Sequence, residues 1–237
     1  MLLSGPGRNP RRRRPRTVTV MEYEGEPRMD RTDRYDGSDV IGSGGLRLRR
    51  WREEDLPALL RAYEDPAMHR WLATQVSGPD GAADWLEAQR TGWASGTRFA
   101  FAVTEGGQDD EPLGNAVLKR PDPVSGRAEV GYWTTASARG RGVAPRALAA
   151  LTDWAFTTFA EQGLTRLELL HQVDNEASCR VAEKGGYPLA RVIPALPPDY
   201  PLDGHVHARE APAAALSRPA GRRGEAAGTD GGRASGR

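Results

Sequence analysis

Residues 129–159 constrain this chain more than any other stretch. Glu129-Val130-Gly131-Tyr132-Trp133 is β-prone around a single glycine, which predicts a bulge or the close approach of another backbone. A turn follows, Arg139-Gly140-Arg141-Gly142-Val143-Ala144. After it, Val143, Ala147, Leu148, Leu151, Trp154, Ala155 and Phe159 recur at helical spacing on one face. The predicted unit is therefore strand, glycine-rich turn, amphipathic helix. Glycines in such a turn let the chain approach a ligand with no Cβ in the way. The first N–H groups of the helix lack helical acceptors and sit at the positive end of its dipole. Arg139, Arg141 and Arg146 add formal charge. Together these features read as a cradle for a diphosphate, against the plainer reading of a simple helix cap. No Gly-Lys-Ser/Thr follows and the GxGxxG spacing is missing, so neither a nucleoside triphosphate loop nor a dinucleotide fingerprint is present.

Composition narrows the class. A chain of 237 residues fits one folded domain once its ends are set aside. The hydrophobic fraction of 38% is low because the ends are polar; the middle holds enough apolar residues for a core. A net charge of +1 gives no general argument for nucleic acid. One cysteine excludes an internal disulfide framework and agrees with a reducing cytoplasm. No apolar run approaches the ~18 residues of a membrane helix. Met1-Leu2-Leu3 is soon followed by Gly5 and Pro6, so a signal-peptide core is not expected. Residues 1–44, with Arg8, Arg11 to Arg14 and Arg16, read as a disordered basic tail. A nucleic-acid or ribosome-binding arm is the alternative there, as is a true start at Met21 or Met29. Residues 211–237, rich in Ala, Gly, Arg, Pro and Ser, read as a second disordered tail.

Two motifs carry a family resemblance. Arg139-x-x-Gly142-x-Ala144 resembles the Arg/Gln-x-x-Gly-x-Gly/Ala acyl-CoA motif of the GNAT superfamily of N-acetyltransferases. Downstream, Asn175-x-x-Ser178, then Lys184-x-Gly186-Tyr187, is similar to a block found in the RimJ/RimL-type branch. The likeness covers about residues 45–210. It implies an acetyl-CoA-dependent acyltransferase with the amine acceptor either a protein N-terminus, as on ribosomal proteins, or a small molecule such as an antibiotic or metabolite. A catalytically idle CoA-binding module is the reading from another class. No metal is expected; the apolar runs and the cysteine count lead to the expectation of no membrane and a cytoplasmic protein, with nucleic acid not expected as a partner and a homodimer left open.

The rest of the chain agrees with that fold. Residues 46–49 alternate as a first strand, and Glu53, Glu54 and Asp55 supply acid where a helix should begin, with Leu56, Leu59, Leu60 and Tyr63 on its face. A short helical piece at 68–72 and a helix at 80–93 should follow. Trp71, Trp85 and Trp93 are candidates to line the acceptor site, with core packing the plainer alternative. Strands are expected at 97–104, 113–119, 127–134, 167–170, 187–193 and about 205–210, with a helix at 176–184. Pro194, Pro197, Pro198 and Pro201 make a stiff surface loop. The expected class is α/β: a mixed, mostly antiparallel central sheet of about seven strands with flanking helices. By resemblance, the cofactor lies where two of its strands splay apart.

The site residues follow by resemblance. Arg139, Gly140, Arg141, Gly142, Val143 and Ala144 would hold the pyrophosphate. Backbone groups of Tyr132, Trp133 and Thr134 would pair with the pantetheine arm, and a main-chain N–H there could stabilise an oxyanion. Asn175 would touch the cofactor and cap its own helix. Ser178 is the candidate general acid, against a surface serine bonded to its own backbone. Cys179 is expected to be a buried structural thiol. Where RimJ/RimL-type relatives commonly carry a Glu, this chain has Ala190. His171, Glu129 and Asp174 are the alternative bases, and His171 has the most suitable intrinsic pKa.

Overall fold

The computed structural model describes residues 40–41, 45–106, 110–120, 124–198 and 200–213. The arginine run of the first tail and residues 214–237 of the second lie outside them.

The elements are β1 (Val40–Ile41), β2 (Leu46–Arg50), α1 (Leu56–Tyr63), α2 (Pro66–Trp71), α3 (Gly78–Ser95), β3 (Arg98–Glu105), β4 (Gly114–Lys119) and β5 (Arg127–Thr134). They continue with α4 (Val143–Thr158), β6 (Arg166–Gln172), α5 (Glu176–Lys184), β7 (Leu189–Ile193) and β8 (Gly204–Glu210). One sheet takes the order β1-β2-β3-β4-β5-β6-β8-β7. Every neighbouring pair is antiparallel except β5 with β6, which is parallel. A parallel pair needs a long crossover, and α4 supplies it. The seven expected strands are present. The eighth, Val40–Ile41, is a two-residue edge piece inside the stretch that composition alone assigned to the tail. At the other end Ala211 is buried, and its N–H donates to the Thr165 carbonyl at 2.8 Å.

Alternation along the strands divides the apolar residues between two faces. Leu46, Leu48, Phe99, Phe101, Leu118, Val130, Leu167 and Leu169 pack with Val143, Leu148, Leu151 and Phe159 around α4. Ala100, Ala102, Val117 and Trp133 pack with Leu59, Tyr63, Trp85 and Leu86 of α1 and α3. Tyr187 was expected to open a strand. It instead plugs the α4 core, fully buried, its hydroxyl 2.6 Å from that of Thr152, and β7 starts two residues later. Gly131 makes no bulge, because its register with Val117 is continuous. The irregularity falls in β7, between Leu189 and Arg191. Asp55 does more than favour a helix dipole: its carboxylate is buried and takes two 2.7 Å bonds from the Arg49 guanidinium. No helix among the described residues is long and apolar enough to cross a membrane.

Candidate active site

The β5–β6 ladder is only half made. It runs from Arg127↔Arg166 to Val130↔Leu169 and stops. Beyond that point β5 continues against β4 as far as Thr134, and β6 continues against β8 as far as Gln172. Residues 131–134 and 170–172 therefore face each other across a gap without a ladder between them. A strand edge left open in the middle of a sheet can pair its main chain with an extended ligand. This is the splay that the resemblance implied.

The glycine-rich turn stands at the mouth of the gap. Gly140 has φ 75° and Gly142 φ 72°, left-handed values that disfavour any residue with a Cβ. A Cβ added at either would meet nothing within 4 Å, so the space over the turn is open. Gly142 is the N-cap of α4 and offers no side-chain cap, while buried Val143 anchors the first turn from below. The helix start is thus exposed to whatever enters. Its arginines are held by carboxylates: Arg139 by Asp65, and Arg141 and Arg146 both by Glu105.

The opposite wall is α5. Asn175 caps it, its Oδ1 accepting from the Ser178 N–H at 3.1 Å. Ser178 Oγ in turn accepts from the Tyr132 hydroxyl at 3.1 Å. That bond spans the gap between β5 and α5. Burial pushes the Tyr132 phenol up from its ordinary value, so it holds its proton at neutral pH. Helix α2 bridges the two sides: Asp65 at its N-cap reaches Arg139, and Arg70 near its end reaches Asp174 at 2.9 Å.

The other expected residues separate. Trp133 turns to the opposite face, with ring centroids 5.8 Å from Trp51 and 6.2 Å from Tyr63, so only its backbone can serve the gap. Thr134 and Ala144 are half-buried. Trp85 stacks edge-on with Trp51, and Trp93 packs with Phe99 and Phe101, which makes both core residues. Trp71 lies under the Arg70 guanidinium on α2. The three alternative bases are each engaged elsewhere. Glu129 pairs with Lys119, Asp174 with Arg70, and His171 donates from Nδ1 to the Gln172 carbonyl at 2.8 Å. None of the three is hydrogen-bonded to Ser178 or Tyr132 among the described residues. Burial, opposed by that carbonyl and helped by His207 and His205, keeps the His171 imidazole below its ordinary value. Cys179 is half-buried and lies against His171 and His205.

Sequence reasoning missed two things. The Tyr132 side chain serves Ser178 directly, a contact between residues 46 apart that strand and helix patterns do not reveal. The gathering of Cys179 with three histidines also went unseen, although His205-Val206-His207 on a strand puts two of those histidines on one face.

A mixed sheet that parts beside an uncapped, glycine-built helix start, with a hydroxyl pair across the gap, is the architecture of an acyl-CoA-type acyltransferase. The acetyltransferase (GNAT) domain family matches residues 45–188, and the chain belongs to that family. Among curated relatives, the uncharacterized N-acetyltransferase p20 of Bacillus licheniformis is 28% identical over 139 residues, 57% of this chain and 75% of its own. The ribosomal-protein-serine acetyltransferase of Escherichia coli is 35% identical over 81 residues, 34% of this chain and 43% of that enzyme. Among solved structures, RimL, a ribosomal-protein α-N-acetyltransferase in complex with coenzyme A, superposes with a TM-score of 0.64 at 22% identity. That superposition covers 73% of this chain and 98% of the neighbour, a likeness of fold.

Proposed function

We propose that this protein transfers an acetyl group from acetyl-CoA to the α-amine at a protein N-terminus. The observation that carries the reading is the Tyr132–Ser178 bond across the splay. Because Ser178 Oγ already accepts from Tyr132, its own hydrogen is free to point into the gap. Acetyl-CoA supplies an activated acyl group and a thiolate leaving group. The neutral amine adds to the thioester carbon and the carbon–sulfur bond breaks as Ser178 hands a proton to the departing sulfur; Tyr132 passes its proton to Ser178, and the proton shed by the acylated nitrogen returns to Tyr132 through solvent. The open edge of β5 at residues 131–134 holds the extended arm, and residues 139–144 with the α4 start take the phosphates. Asn175 holds the turn that presents Ser178.

The acceptor follows from what the gap lacks. Glu129, His171 and Asp174 are engaged elsewhere, so the acceptor must arrive largely neutral. An α-amine with pKa near 8 does so, whereas a lysine near 10.4 costs ~3.4 kcal/mol more to deprotonate. Asp65 and Asp174 at the mouth are each paired with an arginine, which leaves little negative field to gather a polycationic small molecule. The test is mass-spectrometric acetyl transfer to a panel of peptides with free or blocked N-termini, alongside small amines. Transfer to free N-termini that Ser178→Ala abolishes supports the reading. Preference for internal lysine or for a small amine overturns the acceptor, and no transfer to any amine makes this an idle CoA-binding module.

A further inference from the structure

Three of the chain's four histidines and its only cysteine meet at one place. His205 and His207 stand two apart on β8, so both face the same side of the sheet. His171 on β6 is the ladder partner of His205. The α5 helix lowers Cys179 onto the same side, its Sγ 3.6 Å from His171 Nε2 and 3.3 Å from His205 Nδ1. One ring nitrogen from each histidine and the sulfur all lie within 4.8 Å of one another.

The tautomers are set from outside. His171 donates from Nδ1 to the Gln172 carbonyl at 2.8 Å, and His207 from Nδ1 to the Tyr187 carbonyl at 3.0 Å. Each bond leaves a lone pair on Nε2. His207 is 2% exposed, and its Nε2 is buried with no hydrogen-bond partner among the described residues, an expensive condition for a polar atom. Cys179 has one proton to offer and His205 Nδ1 at most one more. The Cys179 proton can serve only one of the two nitrogens beside the sulfur and neither proton is bonded to His207 Nε2, whereas one cation could be shared by all four atoms.

We propose that His171, Cys179, His205 and His207 form a tetrahedral site for Zn²⁺, with Cys179 bound as the thiolate. With Zn–S near 2.3 Å and Zn–N near 2.0 Å, tetrahedral geometry separates sulfur from nitrogen by about 3.5 Å, and the sulfur–nitrogen distances of 3.6 and 3.3 Å bracket that value. Three imidazoles and one thiolate suit Zn²⁺ and not Mg²⁺ or Ca²⁺. The backbone carbonyls behind His171 and His207 are the outer partners that orient metal-binding imidazoles. Four protein ligands close the coordination sphere, so the ion is structural. It ties β6, β8 and α5 together beside Ser178, the residue before Cys179, and fixes the turn that faces Tyr132.

The test is titration of the full-length, untagged, chelator-treated protein with Co²⁺ and Zn²⁺, followed by visible spectroscopy and calorimetry. One equivalent of Co²⁺ should give intense tetrahedral bands with a thiolate charge-transfer band, and Zn²⁺ should displace both. Cys179→Ser should lose the charge-transfer band, and His205→Ala should bind at least about tenfold more weakly. Ser178→Ala should keep full stoichiometry. No saturable single equivalent in the parent, or a Co²⁺ spectrum unchanged by Cys179→Ser, overturns the site whether or not the protein transfers acetyl groups.

Discussion

The two halves of the β5–β6 pair differ in almost every respect. The closed half, from Arg127↔Arg166 to Val130↔Leu169, is hydrogen-bonded strand to strand and cross-linked by charge. There Glu168 is held by Arg191 at 2.9 Å and by Arg166 at 2.8 Å, and Arg166 also reaches Glu210. The open half has no ladder, an uncapped helix start on one side and a capped one on the other. One half pairs its main-chain groups strand to strand; the other leaves them open between the strands. Stability and ligand binding should therefore respond to different substitutions, and the following outcomes test that division.

The largest effect is expected in the open half. Joint Arg139→Glu and Gly142→Glu substitution puts two anions in the proposed phosphate cradle and a Cβ at a left-handed position. Acetyl-CoA binding should weaken at least ~100-fold by calorimetry, about 3 kcal/mol, while the protein stays folded. Ser178→Ala should come next, with kcat falling about 10²- to 10⁴-fold and little change in acetyl-CoA affinity, because in the proposed mechanism the hydroxyl acts only as the sulfur leaves. Tyr132→Phe should cost less, since Ser178 keeps its own proton.

The closed half should answer in stability. Arg191, then Arg166, hold the Glu168 carboxyl at about 2, down from an ordinary 4.5. A depressed carboxyl stabilises the folded state above its unfolded pKa. That contribution, screened by solvent around the exposed Arg191 to well under about 3 kcal/mol, is lost as pH falls from about 4.5 toward 2. Glu168→Gln should lower the melting temperature at pH 7 and flatten the acid limb of the stability curve, with turnover unchanged. A fall in turnover matching that of Ser178→Ala would erase the division between the halves. Smaller still, Asn175→Ala should cost about 1 kcal/mol of stability as a lost helix cap. Glu105→Gln should tighten acetyl-CoA only a few-fold, because its exposed pairs with Arg141 and Arg146 are each worth about 0.2–1 kcal/mol.

Local pattern carried most of the fold. Strand alternation and helical spacing located seven strands and the main helices, and Asn175 marked a helix start as expected. The glycine turn was legible because two left-handed glycines beside a helix are a backbone requirement written into residue type. Legibility failed where contacts are long-range. Tyr132 reads as one more strand aromatic until α5 is laid across the gap. Tyr187 has the β-propensity of a strand residue, yet the core claims it. The four-ligand cluster draws on β6, α5 and β8, and no single stretch contains more than two of its members. Val40–Ile41 joins the sheet by pairing with β2, which composition cannot register.

The claim on which the rest depends is that the open half binds acetyl-CoA. Thermal unfolding of the parent and of the Arg139→Glu/Gly142→Glu protein, each with and without acetyl-CoA, tests it most directly. At a ligand concentration 100 times the dissociation constant, the parent should gain about 2.7 kcal/mol, a rise of several degrees, and the variant nothing. No rise in a folded parent, or an equal rise in both proteins, would contradict the account.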